Sequence, residues 1–287
     1  MRNLFITLLA LSLTSGVIAQ KTQKRFEYAS KLYERENYDS ALYLFAAIYN
    51  KGIGNPALIA KSYYNIGIIY LEKKDTVNAR RIFKDIIYSN FDDMDRGGTG
   101  SGLMAEPYAL YKNNSCKILT MMALQEKDFV NALSYTEMAD KDFPYIHFCG
   151  NEYAANDIYM ASMYARCYEG LGNKERAIET LLPHCIENGL ANNSRLVDQL
   201  CILLKEKYSK EAIKQQIESA ISGMYIKQKK LRDYVDSSYY TKIFNTELEL
   251  DVYSSDIDYR KTKHLNQIEL HRYYFKESEF VKKLLQQ

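Results

Sequence analysis

The 287-residue chain contains no tryptophan and only four prolines, and its charges nearly cancel: 38 Lys and Arg against 36 Asp and Glu leave a net charge of +2. After the N-terminal segment, no stretch approaches the roughly 20 consecutive apolar residues of a membrane-spanning helix, so no span is expected in the mature chain. This charge balance does not indicate nucleic acid binding or long-range attraction of an anionic partner. No alternating pattern dominates the first 220 residues, which favours helices.

The five cysteines show no C-x-x-C spacing; they are Cys116, Cys149, Cys167, Cys185 and Cys201. A structural zinc site and a thioredoxin-like redox pair are therefore not indicated. In an exported chain, an odd number of cysteines leaves at least one thiol unpaired. We expect the cysteines to act mainly as small, buried apolar side chains. One disulfide remains open, and the sequence assigns no pairing.

The segment MRNLFITLLALSLTSGVIAQ is typical of a secretory signal peptide. It begins with the charged Arg2, continues with an apolar run from Leu4 to Leu13, and places Val17 and Ala19 where a signal peptidase reads. We expect residues 1–19 to be removed on export, which predicts a soluble protein of the bacterial periplasm. No cysteine follows the cleavage site, so a lipid-anchored lipoprotein is not indicated.

The segment RGGTGSGLMAEP, residues 96–107, gathers four of the 13 glycines but completes no catalytic motif. It lacks the lysine that a phosphate-binding P-loop places after its last glycine, and it follows a helical pattern where a dinucleotide fingerprint would follow a strand. Around Ser101, Thr99 and Leu103 stand where a nucleophile elbow has glycines. No catalytic set is complete elsewhere, so we expect neither an enzyme nor a cofactor.

Small and aromatic residues recur instead at helical spacing, most clearly in YYNIGIIYLEKKDTVNARRIFKDII, which begins at Tyr63. One stripe holds Tyr63, Ile66, Gly67 and Tyr70, and a second holds Ala79, Phe83 and Ile86. The short KKD between the stripes predicts two helices that fold back on each other, and Asn55-Pro56 predicts the start of the first. This pattern resembles the tetratricopeptide repeat (TPR), with Tyr63 where that family has Trp.

The same frame recurs three more times along the chain. In every copy, twelve residues separate the small position of the first helix from an alanine of the second: Ala29 and Ala41, Gly67 and Ala79, Thr120 and Ala132, Ala165 and Ala177. The third copy departs from the family pattern at Thr120 and Thr136. A fifth copy around Leu200 and Ala212 has Gln216 at a position where the family packs an apolar side chain.

The resemblance implies an all-α, TPR-like α-solenoid of about four to five helix pairs over residues 20–222. In this family, stacked pairs build an extended concave face, lined by the first helices, that holds peptide segments. By resemblance, this face presents Phe26, Tyr33, Lys61, Tyr64, Ile68, Lys117, Met121, Tyr159 and Arg166. Aromatic side chains offer apolar contact, and Lys or Arg can hold a carboxylate. With 26 tyrosines and no tryptophan, several of these tyrosines are equally expected to pack between repeats.

The alanine anchors lie farther apart than the roughly 34-residue period, so the repeats carry insertions, the largest at residues 92–107 and 144–153. Insertions between repeats emerge along one edge, and these two loops are expected to lie side by side. They would collect the side chains of Arg96, Glu106, His147, Cys149 and Glu152. A calcium loop beginning at Asp93 lacks essential ligands at Gly97 and Met104, so no metal is expected.

Residues 223–287 are predicted to form a C-terminal extension, because the repeat pattern stops there. YYTKIFNTELELDVY alternates in polarity, which predicts a short β-hairpin, and TKHLNQIELHRYYFKESEFVKKLL predicts a final helix. His264 and His271 lack a third metal ligand, so packing or surface roles are expected for them. The extension either caps the open end of the solenoid or docks a partner, and the sequence leaves both open.

These features predict a non-enzymatic protein–protein interaction scaffold of the bacterial cell envelope that binds a peptide or protein partner on the concave TPR surface. The alternative is a ligand- or metal-binding protein, with or without catalysis, whose site lies at the enlarged loops 92–107 and 144–153. The sequence identifies neither the partner nor the oligomeric state.

Overall fold

A computed structural model of the protein describes residues 20–52, 56–96, 106–186, 191–230, 235–250 and 259–286. The predicted signal peptide, residues 1–19, and residues 97–105 of the glycine-rich segment lie outside the described residues. The described chain is mostly helical, as the sequence predicts, and it has a small three-stranded antiparallel sheet near its C-terminus. The fold is therefore helical with a small sheet and not strictly all-α.

Within the described ranges, ten helices precede the sheet: α1 (20–34), α2 (Tyr38–Lys51), α3 (Pro56–Glu72), α4 (Thr76–Ile87), α5 (Tyr111–Gln125), α6 (Phe129–Glu137), α7 (Gly150–Gly170), α8 (Lys174–Leu181), α9 (Ser194–Lys207) and α10 (Lys210–Ser222). A π-helix at Met138–Asp142 continues α6, and a 3-10 helix at Leu182–His184 continues α8.

The same three-residue turn joins the two helices of the first four pairs, at residues 35–37, 73–75, 126–128 and 171–173. Its second residue has a positive φ: 58° at Glu36, 59° at Lys74, 59° at Lys127 and 78° at Gly172. Its third residue accepts a hydrogen bond from the start of the next helix through a side-chain oxygen, at Asn37, Asp75, Asp128 and Asn173. A left-handed residue ends one helix and an Asn or Asp cap begins the next, so the four pairs share one local construction.

The twelve-residue spacing places small side chains at the buried positions of the helix pairs. The fully buried alanines of this frame are Ala29, Ala41, Ala79, Ala132, Ala165 and Ala177. A Cβ added at Gly67 would lie 2.9 Å from both Ile82 Cγ2 and Phe83 Cζ, so glycine allows the closest approach of α3 and α4. The two departures of the third copy face each other, since the buried hydroxyls of Thr120 and Thr136 lie 3.3 Å apart. In this copy, two medium-sized threonines that are hydrogen-bonded to each other thus take the places of the small residue and the large residue of the family pattern.

The chain forms two compact units. One comprises the residues up to Gln125 together with Ser134–His147, and the other comprises Glu126–Leu133 and the residues from Phe148 onward. In the first unit, α2 packs on α3, α4 packs on α5, and the π-helix packs on α5. In the second unit, α7 packs on α8 and α8 packs on α9. Among the helices that precede the sheet, these contacts join neighbours along the chain.

The sheet of the second unit contains β1 (Tyr225–Lys230), β2 (Val235–Ile243) and β3 (Thr246–Leu250), paired antiparallel in that order. β2 and β3 form the hairpin that the alternation predicts, whereas β1 is an additional strand. β2 packs on α10. Three short helices follow: α11 (Tyr259–Thr262), α12 (Gln267–Glu277) and α13 (Glu279–Leu285). α12 and α13 pack on α10, and α13 also packs on α9.

The turn between β2 and β3 accounts for the polar residue at Gln216. Phe244 and Asn245 have φ values of 48° and 67°, which are typical of the two-residue type I′ turn of a hairpin. The side-chain oxygen of Gln216 accepts a hydrogen bond from the Phe244 N–H at 3.0 Å. The Phe244 ring also lies 4.8 Å from that of Tyr208. The position that departs from the repeat pattern therefore holds the hairpin on α10.

Local caps divide the region predicted as one final helix. Asn266 begins α12 through a reciprocal capping box, and the Ser278 side chain caps the start of α13. His264 consequently lies in the turn between α11 and α12. His271 is buried on α12, where its ring stacks on Tyr239 at a centroid distance of 3.7 Å. The two histidines do not share a helix face.

Candidate functional site

The two ends of the glycine-rich segment are fixed side by side. Arg96 and Tyr108 form an antiparallel β-bridge. The Ala109 N–H donates to the Asp95 carbonyl oxygen at 2.8 Å, and the Leu110 N–H donates to the Asp93 carbonyl oxygen at 3.1 Å. The described residues on either side of the segment are therefore held together by backbone hydrogen bonds.

The aspartates beside this segment organise the backbone. The Asp93 carboxylate accepts hydrogen bonds from the N–H groups of Lys112 at 2.7 Å and Asn113 at 3.0 Å, at the start of α5. Burial raises the pKa of Asp93, although both hydrogen bonds oppose this rise. The Asp92 carboxylate accepts from the Met94 N–H at 2.9 Å. Among the described residues, no group of three or more His, Cys, Asp or Glu side chains could hold a metal ion.

Asn113 connects α5 to the segment that precedes the second insertion. Its buried side-chain amide donates to the carbonyl oxygens of Ala139 at 2.9 Å and Phe143 at 2.7 Å. Ala139 belongs to the π-helix and Phe143 follows it directly. One side chain thus stabilises the end of a π-helix, a conformation that is rare in proteins and is often found at functional sites.

Four side chains of the first unit meet at Tyr145, and we call Glu106, Lys117, Tyr145 and His147 the Tyr145 cluster. The Tyr145 hydroxyl donates to Glu106 Oε1 at 3.0 Å. Lys117 Nζ lies 4.8 Å from the centre of the Tyr145 ring, within the range of a cation–π interaction. The His147 ring is parallel to that of Tyr145, with 6.0 Å between the centroids. The cluster contains an ammonium, a carboxylate and a phenol.

Burial dominates the electrostatics of this cluster. It lowers the pKa of Lys117 to about 8, although the Glu106 carboxylate opposes this effect. Glu106 Oε2 is buried and has no hydrogen-bond partner among the described residues. Lys117 can therefore exchange a proton near neutral pH or bind an anionic group through its ammonium.

The cluster joins residues that the sequence assigned to different groups. Glu106 and His147 were predicted in the loop set, and Lys117 was predicted on the first-helix face. Tyr145, which holds them together, was not among the predicted site residues. The sequence signal that could have identified Tyr145 is an aromatic residue that directly follows Pro144 within an insertion.

The remaining loop candidates lie elsewhere. Arg96 takes part in the β-bridge that closes the glycine-rich segment. Cys149 and Glu152 lie at the start of α7 in the second unit, where the Glu152 N–H donates to the Cys149 carbonyl oxygen at 3.2 Å. Cys149 is the N-cap residue of α7. Its backbone is extended, and its side chain makes no capping hydrogen bond to the helix.

Of the nine residues predicted on the first-helix face, eight are half-buried, whereas Phe26 is buried and packs on Phe45 with 5.3 Å between the ring centroids. The Tyr64 ring lies 5.7 Å from that of Phe83 and 5.8 Å from that of Tyr111, and burial raises the pKa of Tyr64 to about 12. Lys61 Nζ lies 5.9 Å from the centre of the Phe26 ring. Tyr64 is therefore a packing residue of the first unit as well as a candidate for partner contact.

The second-unit members of this set, Tyr159 and Arg166, lie about two turns apart on α7. Burial raises the pKa of Tyr159, and the positive charge of Arg166 opposes that rise. The two groups are close enough to interact electrostatically. They offer a phenol and a guanidinium on one helix.

None of the five cysteines, all of which lie in the described ranges, forms a disulfide; Cys149 is half-buried and the others are buried. Burial raises the pKa of Cys116 to about 12 and that of Cys201 to about 11. These two thiols are therefore poor nucleophiles at neutral pH and act as small apolar side chains.

In the described part of the chain, no helix is long and apolar enough to cross a membrane. No protein-family model, no curated protein and no solved structure matches the sequence.

Proposed function

We propose that the protein is a non-enzymatic interaction scaffold that binds an extended peptide segment of a partner along the first helices of TPR-like pairs. The observation that carries this proposal is the construction shared by the first four pairs: one three-residue turn and one buried twelve-residue frame. Equivalent helices present equivalent surface positions, and within the first unit a row of such positions on α1, α3 and α5 suits an extended chain. The predicted signal peptide supports action in the bacterial cell envelope.

The chemistry of the half-buried first-helix side chains favours a particular partner. Tyr33 and Ile68 offer apolar contact, and Lys61 and Lys117 offer positive charge. A carboxylate pairs well with such a cation when the surrounding surface excludes water. We therefore propose a peptide that combines apolar side chains with an acidic side chain or a free C-terminal carboxylate.

Selection of random peptides displayed on phage against the mature chain tests this proposal. The enriched peptides are synthesised, and their affinity is measured by fluorescence polarisation. Lys61→Glu reverses a charge on α3 and should weaken binding at least about tenfold, because like charges repel the peptide carboxylate. Lys84→Glu, at an exposed position of the second helix α4, is the matched control and should leave the affinity unchanged.

Two results would contradict the proposal: no peptide sequence is enriched, or Lys61→Glu and Lys84→Glu change the affinity equally. Tyr64→Ala is unsuitable as a test variant, because Tyr64 packs on Phe83 and Tyr111 and its loss would also disturb the fold.

A further inference from the structure

A cavity of about 500 Å³ lies in the second unit, outside the surface considered above. It is bounded by the end of β3, the start of α9, α12, α13 and the residues after the 3-10 helix. Cys185, Ile186, Leu250 and Phe275 provide apolar wall, and three of them are almost fully buried in the core of this unit. A volume of this size accommodates a small organic molecule.

The charged side chains of the cavity wall are already paired. Lys282 Nζ forms a salt bridge with Glu277 Oε2 at 3.1 Å, and Lys283 Nζ forms one with Glu279 Oε1 at 2.6 Å. Lys283 also pairs with Asp198. Because each cation of the wall has a carboxylate partner, the cavity offers no net charge to a ligand. This favours an uncharged occupant.

Other polar groups of the wall are also engaged. The Ser278 hydroxyl donates to the Phe275 carbonyl oxygen at 2.7 Å. His271 Nδ1 lies 2.7 Å from the Gln267 carbonyl oxygen, and since a carbonyl only accepts, Nδ1 carries the proton of this bond.

Asn193 differs from these groups. It lines the cavity and is only 1% exposed, yet its Oδ1 is buried with no hydrogen-bond partner among the described residues. Asn193 occupies the N-cap position of α9, where an asparagine oxygen normally accepts an N–H of the helix, but its side chain makes no such bond.

The orientation of the Asn193 amide is set by its other end. Nδ2 donates to the His184 carbonyl oxygen at 2.9 Å, and exchanging the two ends would place two oxygens against each other. The oxygen is therefore an acceptor that the described part of the chain leaves unused. A buried acceptor without a donor costs free energy, which a donor on a ligand would recover.

We propose that this cavity binds a small uncharged molecule with an apolar body and one N–H or O–H donor, and that the donor bonds Asn193 Oδ1. The apolar body packs on Leu250, Phe275 and Ile186. Because the oxygen is itself shielded from solvent, a side chain that lines the cavity moves aside on binding. None of the residues that line this cavity belongs to the first-helix surface of the proposed function.

Two isosteric probes test the proposal on the mature chain. N-phenyl-1-naphthylamine is uncharged and apolar, has one N–H, and fluoresces strongly in apolar surroundings. 1-Benzylnaphthalene replaces that N–H by a methylene group, and its affinity is measured by displacement of the amine. We expect the amine to bind about tenfold more tightly, because only the amine satisfies the Asn193 oxygen.

Substitutions locate the effect. Asn193→Leu removes the acceptor and should reduce the preference for the amine to about one, whereas Asn192→Leu, at the exposed neighbouring asparagine, should retain it. Ile186→Trp should fill the cavity and weaken both probes at least about tenfold. Thermal melting verifies that each variant is folded. If Asn193→Leu does not fold, the proposal is tested by the preference of the wild-type chain for the amine and by the loss of binding in Ile186→Trp.

The proposal is overturned if neither probe binds, if both bind the wild-type chain equally, if the preference survives Asn193→Leu, or if Ile186→Trp leaves both affinities unchanged. The last result would mean that the probes bind another apolar surface.

Discussion

At the scale of single residues, Asn113 connects α5 to two other parts of the first unit. Its backbone N–H donates to Asp93, and its side-chain amide donates to the carbonyl oxygens of Ala139 and Phe143. Asn113→Ala removes the donor from both carbonyl oxygens, and these hydrogen bonds lie in buried and partly buried surroundings. We expect the free energy of unfolding to fall by about 2–3 kcal/mol, measured by urea denaturation.

The adjacent asparagine provides the control for this measurement. Among the described residues, the Asn114 side chain makes a single long hydrogen bond, 3.4 Å, to the Ala109 carbonyl oxygen. Asn114→Ala should therefore cost less than about 1 kcal/mol. Equal losses in the two variants would contradict a special role of Asn113 in holding the π-helix.

Lys117 makes stability depend on pH. Its pKa is about 8 in the folded chain against an ordinary value of 10.5, and the cause is burial of the charge. Below pH 8 the residue is protonated in both states, so the full cost of burying the charge applies. Between pH 8 and 10.5 the unfolded chain binds more protons, so the contribution of Lys117 to stability rises with pH.

Lys117→Met tests this sign, because methionine keeps the apolar stem without the charge. We expect the variant to exceed the wild type in unfolding free energy by about 1–3 kcal/mol at pH 7, and the difference to shrink as pH rises through this window. Urea denaturation at pH 7 and 10 measures it, with Lys84→Met at an exposed position as control. A difference that stays constant or grows with pH would show that the Lys117 charge is not desolvated.

At the scale of helices, the close approach of α3 and α4 depends on Gly67. Alanine there gains about 1 kcal/mol of helix propensity, but its Cβ would meet the Ile82 and Phe83 side chains at 2.9 Å. Overpacking of this kind costs about 1–3 kcal/mol, so we expect Gly67→Ala to lower the unfolding free energy by about 1 kcal/mol.

Phe83→Leu makes room at the same crossing, so Gly67→Ala should cost less in the Phe83→Leu background than in the wild type. Gly150→Ala is the control, because a Cβ at this α7 glycine meets no atom within 4 Å. If Gly67→Ala raised stability, as alanine does at an unconstrained helical glycine, the crossing would be looser than described.

The sequence predicts the helix pairs well because each crossing needs a small residue and each turn needs a cap, and both requirements leave local patterns. Strand β1 leaves little pattern, because its residues, YIKQKK, are mostly polar, and they pair with β2. The sequence also did not predict that Glu106, Lys117 and His147 lie together in the Tyr145 cluster, because two of them belong to different insertions and the third lies on α5. Short-range patterns do not encode such paths.

At the scale of the whole chain, the open question from the sequence was whether residues 223–287 cap the helices or dock a partner. In the second unit, Phe275, Phe280, Val281 and Leu284 belong to the same core as apolar residues of α9 and α10. Phe280 is fully buried, and its carbonyl oxygen lies 3.9 Å from the Cys201 sulfur on α9. This packing favours the cap, because it covers apolar surface that α9 and α10 would otherwise expose.

Phe280→Ala distinguishes the two roles. If the extension is an integral cap, removing this ring leaves a cavity between α13 and α9, and the unfolding free energy should fall by about 3–5 kcal/mol in a single cooperative urea transition. Leu285→Ala, at a 44% exposed position of the same helix, should cost less than about 1 kcal/mol. A loosely docked segment that is free to engage a partner would behave differently. Phe280→Ala would then detach the extension with little loss of global stability, and amide exchange would become fast in α12 and α13 while α9 and α10 stayed protected.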